Sequence, residues 1–226
     1  MPGLYGLIGS AGRPVPAELP SPRLWPRYRP RTFHRGDDAV LGAYLRHRGP
    51  DHASSHEHDR GVLVLWGHVA DPLTGREWQA ADLATALREE GDVVLDRLEG
   101  AFCALELDRF NRRARLFNDR LGTLALYWHH HDGVFAVAPR LGLLPDTARA
   151  AGLDPGAVVN FLSIGHFLGP HTPLRAAHHL TPATIVTFDL DGGEVEQSRY
   201  WNLAYDPDTD SSPAELCQRL GVAIQE

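Results

Sequence analysis

The sequence predicts an α+β fold: an antiparallel β-core with helices packed beside it. Three observations lead there. Between residues 98 and 144 the chain alternates short apolar runs with turn chemistry, enough for four strands. Residues 61–69 (GVLVLWGHV) form a nearly continuous apolar run of strand length. Residues 77–90 place Leu83, Leu87 and several alanines at a spacing near 3.6, as one face of a helix does. The 17 prolines and 22 glycines call for many turns between such elements.

In chain order, residues 2–9 (PGLYGLIG) read as a short buried strand. Residues 10–38 are rich in Pro and Arg, with Arg23, Arg27, Arg29, Arg31 and Arg35 among prolines and aromatics. They read as a surface loop, with a basic docking segment as the other reading. Residues 38–45 suit a short helix, Val40, Leu41, Tyr44 and Leu45 supplying one apolar face. His52, His56, His58 and Asp59 stand among Ser and Glu and read as a solvated loop rather than a metal site. Gly91 caps the helix at 77–90, and a second helix follows at 93–98.

In the central stretch, residues 101–107 alternate large and small apolar side chains, 108–113 supply turn residues, and 114–117 start a second strand. Asn118-Asp119-Arg120-Leu121-Gly122 turns the chain. Residues 125–129 and 134–138 make two more strands around the hairpin signal His131-Asp132-Gly133. At this spacing the four strands read as one antiparallel meander. His129, His130 and His131 straddle a strand end and a turn, and no metal is read there. Asp154 is an N-cap with Pro155 at the first helical position, and the helix runs to about Leu162. Residues 184–189 and 194–200 form a hairpin around Asp191-Gly192-Gly193. Residues 204–212 (AYDPDTDSS) read as an acidic linker. An amphipathic helix follows at 213–225, with Leu216, Leu220 and Ile224 at i, i+4 and i+8.

Composition narrows the function classes. At 226 residues and 43% hydrophobic, the chain can bury a sizeable core in one large domain or two small ones. The net charge is -7 with both signs interspersed, so no basic stripe suggests nucleic acid. No apolar run approaches the ~20 residues of a membrane span. Pro14, Pro16 and Pro20 would break a secretory apolar region. Cys103 and Cys217 make no disulfide framework, and Cys103, in an apolar strand, reads as a small core residue. Together these features point to the cytoplasm.

The central stretch also resembles a known family. The amidotransferase domain of asparagine synthetases carries roughly LxGxFAFxxxDxxxxxLxLxRDRxGxxPLYY. Leu98, Gly100, Phe102, Asp108, Leu116, Asp119, Arg120, Gly122, Leu126 and Tyr127 match it in order. RHRGPD at 46–51, a segment at 163–180 and Arg199-Tyr200-Trp201 match further motifs of that family. The resemblance covers about residues 2–203. It implies an N-terminal-nucleophile (Ntn) hydrolase-like four-layer αββα sandwich with two antiparallel sheets. It also implies a glutamine amidotransferase domain at 1–203, a linker at 204–212, and at 213–226 the start of a helix that enters or docks on an ATP-dependent synthetase domain.

The same resemblance names the chemistry and shows where this chain departs from it. The family's N-terminal Cys is a nucleophile whose own amine acts as base, a task thiols suit because their pKa lies near ~8.5. Here Gly3 and Gly6 match, but Pro2 replaces the Cys. The alternative is a processed chain in which the Pro2 secondary amine becomes base or nucleophile. Arg48 matches the Arg that binds the α-carboxylate of glutamine, a task suited to a planar two-donor fork; the other reading is a structural Arg.

The family's oxyanion hole uses an Asn side chain and a Gly N–H. Residues 61–69 align with it ambiguously, but the Asn is gone under both alignments, and only Gly67 is left to donate, under the second. The Asp that holds the glutamine amino group falls at Gln79, with Asp82 three residues on. No pyrophosphate-binding Ser-Gly-Gly-x-Asp-Ser loop is present. No cofactor is expected in this chain, and ATP and Mg enter only through a synthetase domain, in cis or in trans.

The expected function is thus a glutaminase-like domain of an amide-forming system, without glutamine hydrolysis. Degenerate domains of this kind occur in β-lactam synthetases and lasso-peptide cyclases, whose substrates already carry the amine. The expected partners are that synthetase domain and a small-molecule or peptide substrate, not nucleic acid or membrane. Two other readings stand beside it: an active Pro2 hydrolase, and a binding scaffold that uses the old glutamine pocket.

Overall fold

A computed structural model describes residues 3–16, 28–46, 52–204, 207 and 211–225. In chain order its main elements are β1 (Gly3–Gly9), β2 (Tyr28–Arg35), β3 (Ala39–Arg46), β4 (Ala53–His58), β5 (Gly61–Asp71), β6 (Arg76–Trp78), α1 (Ala80–Glu90), α2 (Val93–Arg97), β7 (Glu99–Asp108) and β8 (Arg113–Asn118). There follow β9 (Tyr127–His131), β10 (Val134–Ala138), α3 (Asp146–Ala150), α4 (Pro155–Ile164), β11 (Ala177–His179), β12 (Thr184–Asp189), β13 (Val195–Arg199) and α5 (Pro213–Gln225).

The strands form two antiparallel sheets. The first has the order β11-β9-β10-β1-β3-β2. The second has the order β13-β12-β8-β7-β5-β4, with β6 added against β5. Period-two alternation divides each inner strand between two faces. On β5, Val62, Val64 and Trp66 point between the sheets, while Leu63 and Leu65 point out toward α1 and α2. On β7, Cys103, Leu105 and Leu107 point inward, and Phe102 and Ala104 point out. The inter-sheet core joins these to Leu4 and Ile8 of β1, Phe135 of β10 and Phe188 of β12. The outer face of the first sheet, through Leu7, Ala136 and Ala138, is covered by Leu144 and by Ala148 of α3. The layering is a four-layer αββα sandwich, as expected. The sheets approach so closely at Gly6 that a Cβ there would lie 2.4 Å from Leu105 Cδ2.

Four local expectations are corrected. Residues 38–45 are not a helix but β3, a strand buried on both faces. Leu41, Ala43 and Leu45 face the other sheet, while Val40 and Tyr44 pack with Tyr5 on the outside. A strand buried on both sides loses its alternation, and its apolar run then mimics a helical face. The four central strands are not one meander: β7 and β8 belong to the second sheet, β9 and β10 to the first. The chain crosses between sheets at the 118–126 turn. Finally, residues 53–58 are not a loop but the edge strand β4, paired with β5 from Ala53↔Trp66 to His58↔Gly61. Likewise, within the stretch 10–38 read as a surface loop, residues 28–35 are instead the edge strand β2, paired with β3.

The helices α1, α2, α4 and α5 and the hairpin β12–β13 fall close to where the sequence places them, whereas β6, which takes the first residues of the expected 77–90 helix, α3 and β11 have no counterpart in the sequence reading. Asp154 caps α4 by accepting from Gly156 N at 2.9 Å and Ala157 N at 3.2 Å. Among the described residues, no helix is long and apolar enough to cross a membrane.

Candidate functional site

Of the sequence-derived site residues, Pro2 and Arg48 lie outside the described residues, so their placement is not described. The strand that follows Pro2 is central: β1 pairs with β10 on one side and with β3 on the other. Gly67 lies on β5, opposite Phe102 of β7. Its φ of +106° and its crowding admit only glycine, because a Cβ would lie 2.1 Å from the Ala101 carbonyl oxygen.

The Gly67 N–H does not point to open space. It donates to the His52 carbonyl across 2.7 Å. The His52 and His68 rings stand 4.2 Å apart, and His68 Nδ1 is 2.6 Å from Glu77 Oε1. In this conformation, the chain just after the RHRGPD motif therefore occupies the single amide that sequence reasoning left for an oxyanion. Neighbouring Trp66, only 7% exposed, lies in the inter-sheet core with Leu4 and Cys103, and Leu124 packs against that core.

Other reactive groups are already engaged. Burial, and after it the Asp119 charge, push the Cys103 thiol well above its ordinary range. It is therefore a neutral core residue rather than a thiolate. Asp82 accepts the Gln79 N–H at 2.9 Å at the start of α1 and also pairs with Arg76. It serves as a capping carboxylate there. His129 Nδ1 is 2.7 Å from the Ala176 carbonyl and Nε2 is 2.9 Å from Thr147 Oγ1. Burial holds its pKa below the usual histidine range. Among the described residues, no group of three or more His, Cys, Asp and Glu is placed to hold a metal ion.

The turn after β8 is the most heavily bonded part of this end of the sandwich. Asp119 Oδ1 accepts from Leu121 N at 2.9 Å and from Thr123 Oγ1 at 3.1 Å. Its Oδ2 accepts from Thr123 N at 3.1 Å and from Phe102 N at 3.2 Å. Asn118, fully buried, donates to the Thr181 carbonyl at 3.0 Å and accepts from Thr184 N at 3.2 Å. Tyr200 adds its phenol to the Asn118 carbonyl. The sequence flagged the motif letters, but not that Asn118-Asp119 and Tyr200 meet.

A family model described as a glutamine amidotransferase domain matches residues 79–201, more than half of the 226 residues. The chain belongs to that family. The matched residues of this amidotransferase domain run from the cap of α1 to Trp201 and so begin after Gly67.

Among solved structures, the domain is similar to the glutamine phosphoribosylpyrophosphate amidotransferase from B. subtilis complexed with ADP and GMP. The identity is 14% and the TM-score 0.43, over 88% of this chain and 43% of that one. It is also similar to a structure described as the allosteric regulatory enzyme of purine biosynthesis, at 13% identity and a TM-score of 0.43, again over 88% and 43% of the two chains. The chain thus spans less than half the length of either structure. A comparison with curated proteins gives no match.

Proposed function

We propose that this amidotransferase domain is the glutaminase-like half of an asparagine-synthetase-type amide-forming system and does not itself hydrolyse glutamine. The observation that carries the reading is the 2.7 Å hydrogen bond from Gly67 N–H to the His52 carbonyl. Thioester chemistry needs a thiolate and donors aimed at the developing oxyanion. Pro2 brings no thiol, Cys103 is sealed in the core, Trp66 is no amide donor, and the Gly67 N–H is already spent.

The rest of the reading follows from the resemblance. The sandwich is the unit at 1–203, and 204–212 link it to the helix at 213–226. ATP and Mg act only in a synthetase domain, in cis or in trans, which forms the amide with an amine already on its small-molecule or peptide substrate, as β-lactam synthetases and lasso-peptide cyclases do. The apolar face of α5 supports docking on that domain: Leu216, Leu220 and Ile224 are 40%, 61% and 75% exposed. The system is cytoplasmic in this reading.

The test is ammonia release from glutamine by the purified chain, with the amino-terminal residue identified in the same sample. Release no faster than a protein-free control is expected. Turnover by a chain beginning at Pro2 would replace this reading with the proline-amine hydrolase.

A further inference from the structure

A cavity of about 310 Å³ opens at the Trp201 end of the sandwich. Its walls come from Leu98 and Glu99 at the start of β7, from Arg120 and Leu121 in the turn after β8, and from Trp201 just beyond Tyr200. Gly67 is not among them. Three features of this wall point to a ligand.

First, the Arg120 guanidinium sits 5.7 Å from the centre of the Trp201 ring, a cation–π distance that fixes the fork without using its N–H donors. Second, among the described residues the guanidinium makes a single long hydrogen bond, from Nη2 to Glu99 Oε1 at 3.4 Å. The two side chains are 27% and 62% exposed, so separating them costs little. Third, Leu121 is 73% exposed at the lip while Leu98 behind it is buried, which gives the cavity an apolar wall that no described residue covers. Asp119 also lines the cavity, but both its oxygens already accept several N–H and O–H groups.

We propose that this cavity binds a zwitterionic α-amino acid with an apolar side chain. The ligand carboxylate takes the Arg120 fork in two parallel bonds. Its ammonium takes the displaced Glu99 carboxylate, and its side chain lies against Leu98, Leu121 and the indole. A plain carboxylate would meet Glu99 and a plain amine would meet Arg120, whereas a zwitterion satisfies both. The volume is at the small end for ligand pockets, of the order an amino acid needs. The assignment does not depend on whether glutamine is hydrolysed elsewhere in the domain.

The experiment is a two-dimensional amide NMR titration of the whole chain with L-leucine and L-phenylalanine. Isocaproate, which lacks the amine, and isopentylamine, which lacks the carboxylate, serve as controls. Saturable shifts are expected at Gly100, Arg120, Leu121 and Trp201 with both amino acids. Each control should bind about tenfold or more weakly, the size of one lost charged contact. Arg120→Gln and Glu99→Gln should each weaken leucine binding about tenfold with the spectrum otherwise preserved. If Arg120→Gln does not fold, Glu99→Gln, a change in a mostly exposed side chain, decides alone. The proposal is overturned if neither amino acid saturates, if isocaproate or isopentylamine binds as well as leucine, or if the folded variants bind leucine like the parent.

Discussion

The Tyr200 phenol donates to the main-chain carbonyl of Asn118 across 2.6 Å, tying the end of the last strand of the sandwich to the turn between the two sheets. Burial raises the phenol's pKa, so the group stays a neutral donor. Tyr200→Phe removes the bond and keeps the ring. It should cost about 1 kcal/mol and lower Tm by about 2–4 °C. A melting curve that coincides with the parent's would mean the bond contributes nothing net.

Asp119 should matter to folding more than any other polar side chain at this end. Asp119→Ala strands the Phe102, Leu121 and Thr123 amides, of which the first is buried. One stranded donor costs ~1–3 kcal/mol, so the variant should lose several degrees of Tm, while Asp119→Asn, which keeps one acceptor, should lose less. Differential scanning calorimetry on the three proteins checks the order. Arg48, for which a structural role was also expected, lies outside the described residues.

Restoring a thiol should not restore glutaminase activity. In Pro2→Cys the nucleophile returns, but neither alignment of residues 61–69 supplies the family's Asn, and Gly67 still donates to His52. A missing oxyanion donor alone costs about 10²–10³ in rate. A variant with robust ammonia release would show that the Gly67 amide turns to the substrate during catalysis.

Acid stability should depend on the pair that joins the two sheets. Arg109, in the β7–β8 turn, donates to both Asp38 oxygens at 2.8 and 2.9 Å. That bonding holds the Asp38 carboxyl below its ordinary value of 3.8, against the opposing effect of partial burial. The folded pKa is depressed, so the contribution is fully present above about pH 4 and lost as pH falls through the lower folded value. Asp38→Asn should therefore flatten stability across that acid range and lower it at neutral pH. Denaturation midpoints at pH 7 and near pH 3 should differ less in the variant than in the parent, and an equal difference would assign the acid sensitivity elsewhere.

The last helix should be dispensable for the sandwich. α5 exposes Leu216, Leu220, Val222 and Ile224, and a helix of about a dozen residues is marginal alone in water. Deleting residues 205–226 should leave Tm within about a degree of the parent's and abolish pairing with a synthetase domain. Hydrogen exchange on the intact chain reads the same point: strongly protected amides at Leu216–Ile224 would mean that the helix is held by the sandwich after all.

What the sequence determined by itself was local and chemical. The strands at β1, β5, β7, β12 and β13, the helices α1, α4 and α5 and the Asp154 cap follow from period, turn residues and capping preferences, all written within a few residues of one another. That position 2 is Pro rather than Cys is likewise plain in the letters. The tertiary structure alone decided which sheet each strand joins, because a hairpin's alternation specifies a buried face without saying against what it is buried. β3 shows the same limit: with both faces covered, its pattern no longer distinguishes strand from helix. The structure also decided the state of Gly67. Its amide meets the His52 carbonyl only because β4 pairs with β5, and the same folding brings Arg120, Glu99 and Trp201, up to 102 positions apart in the chain, to the walls of one cavity.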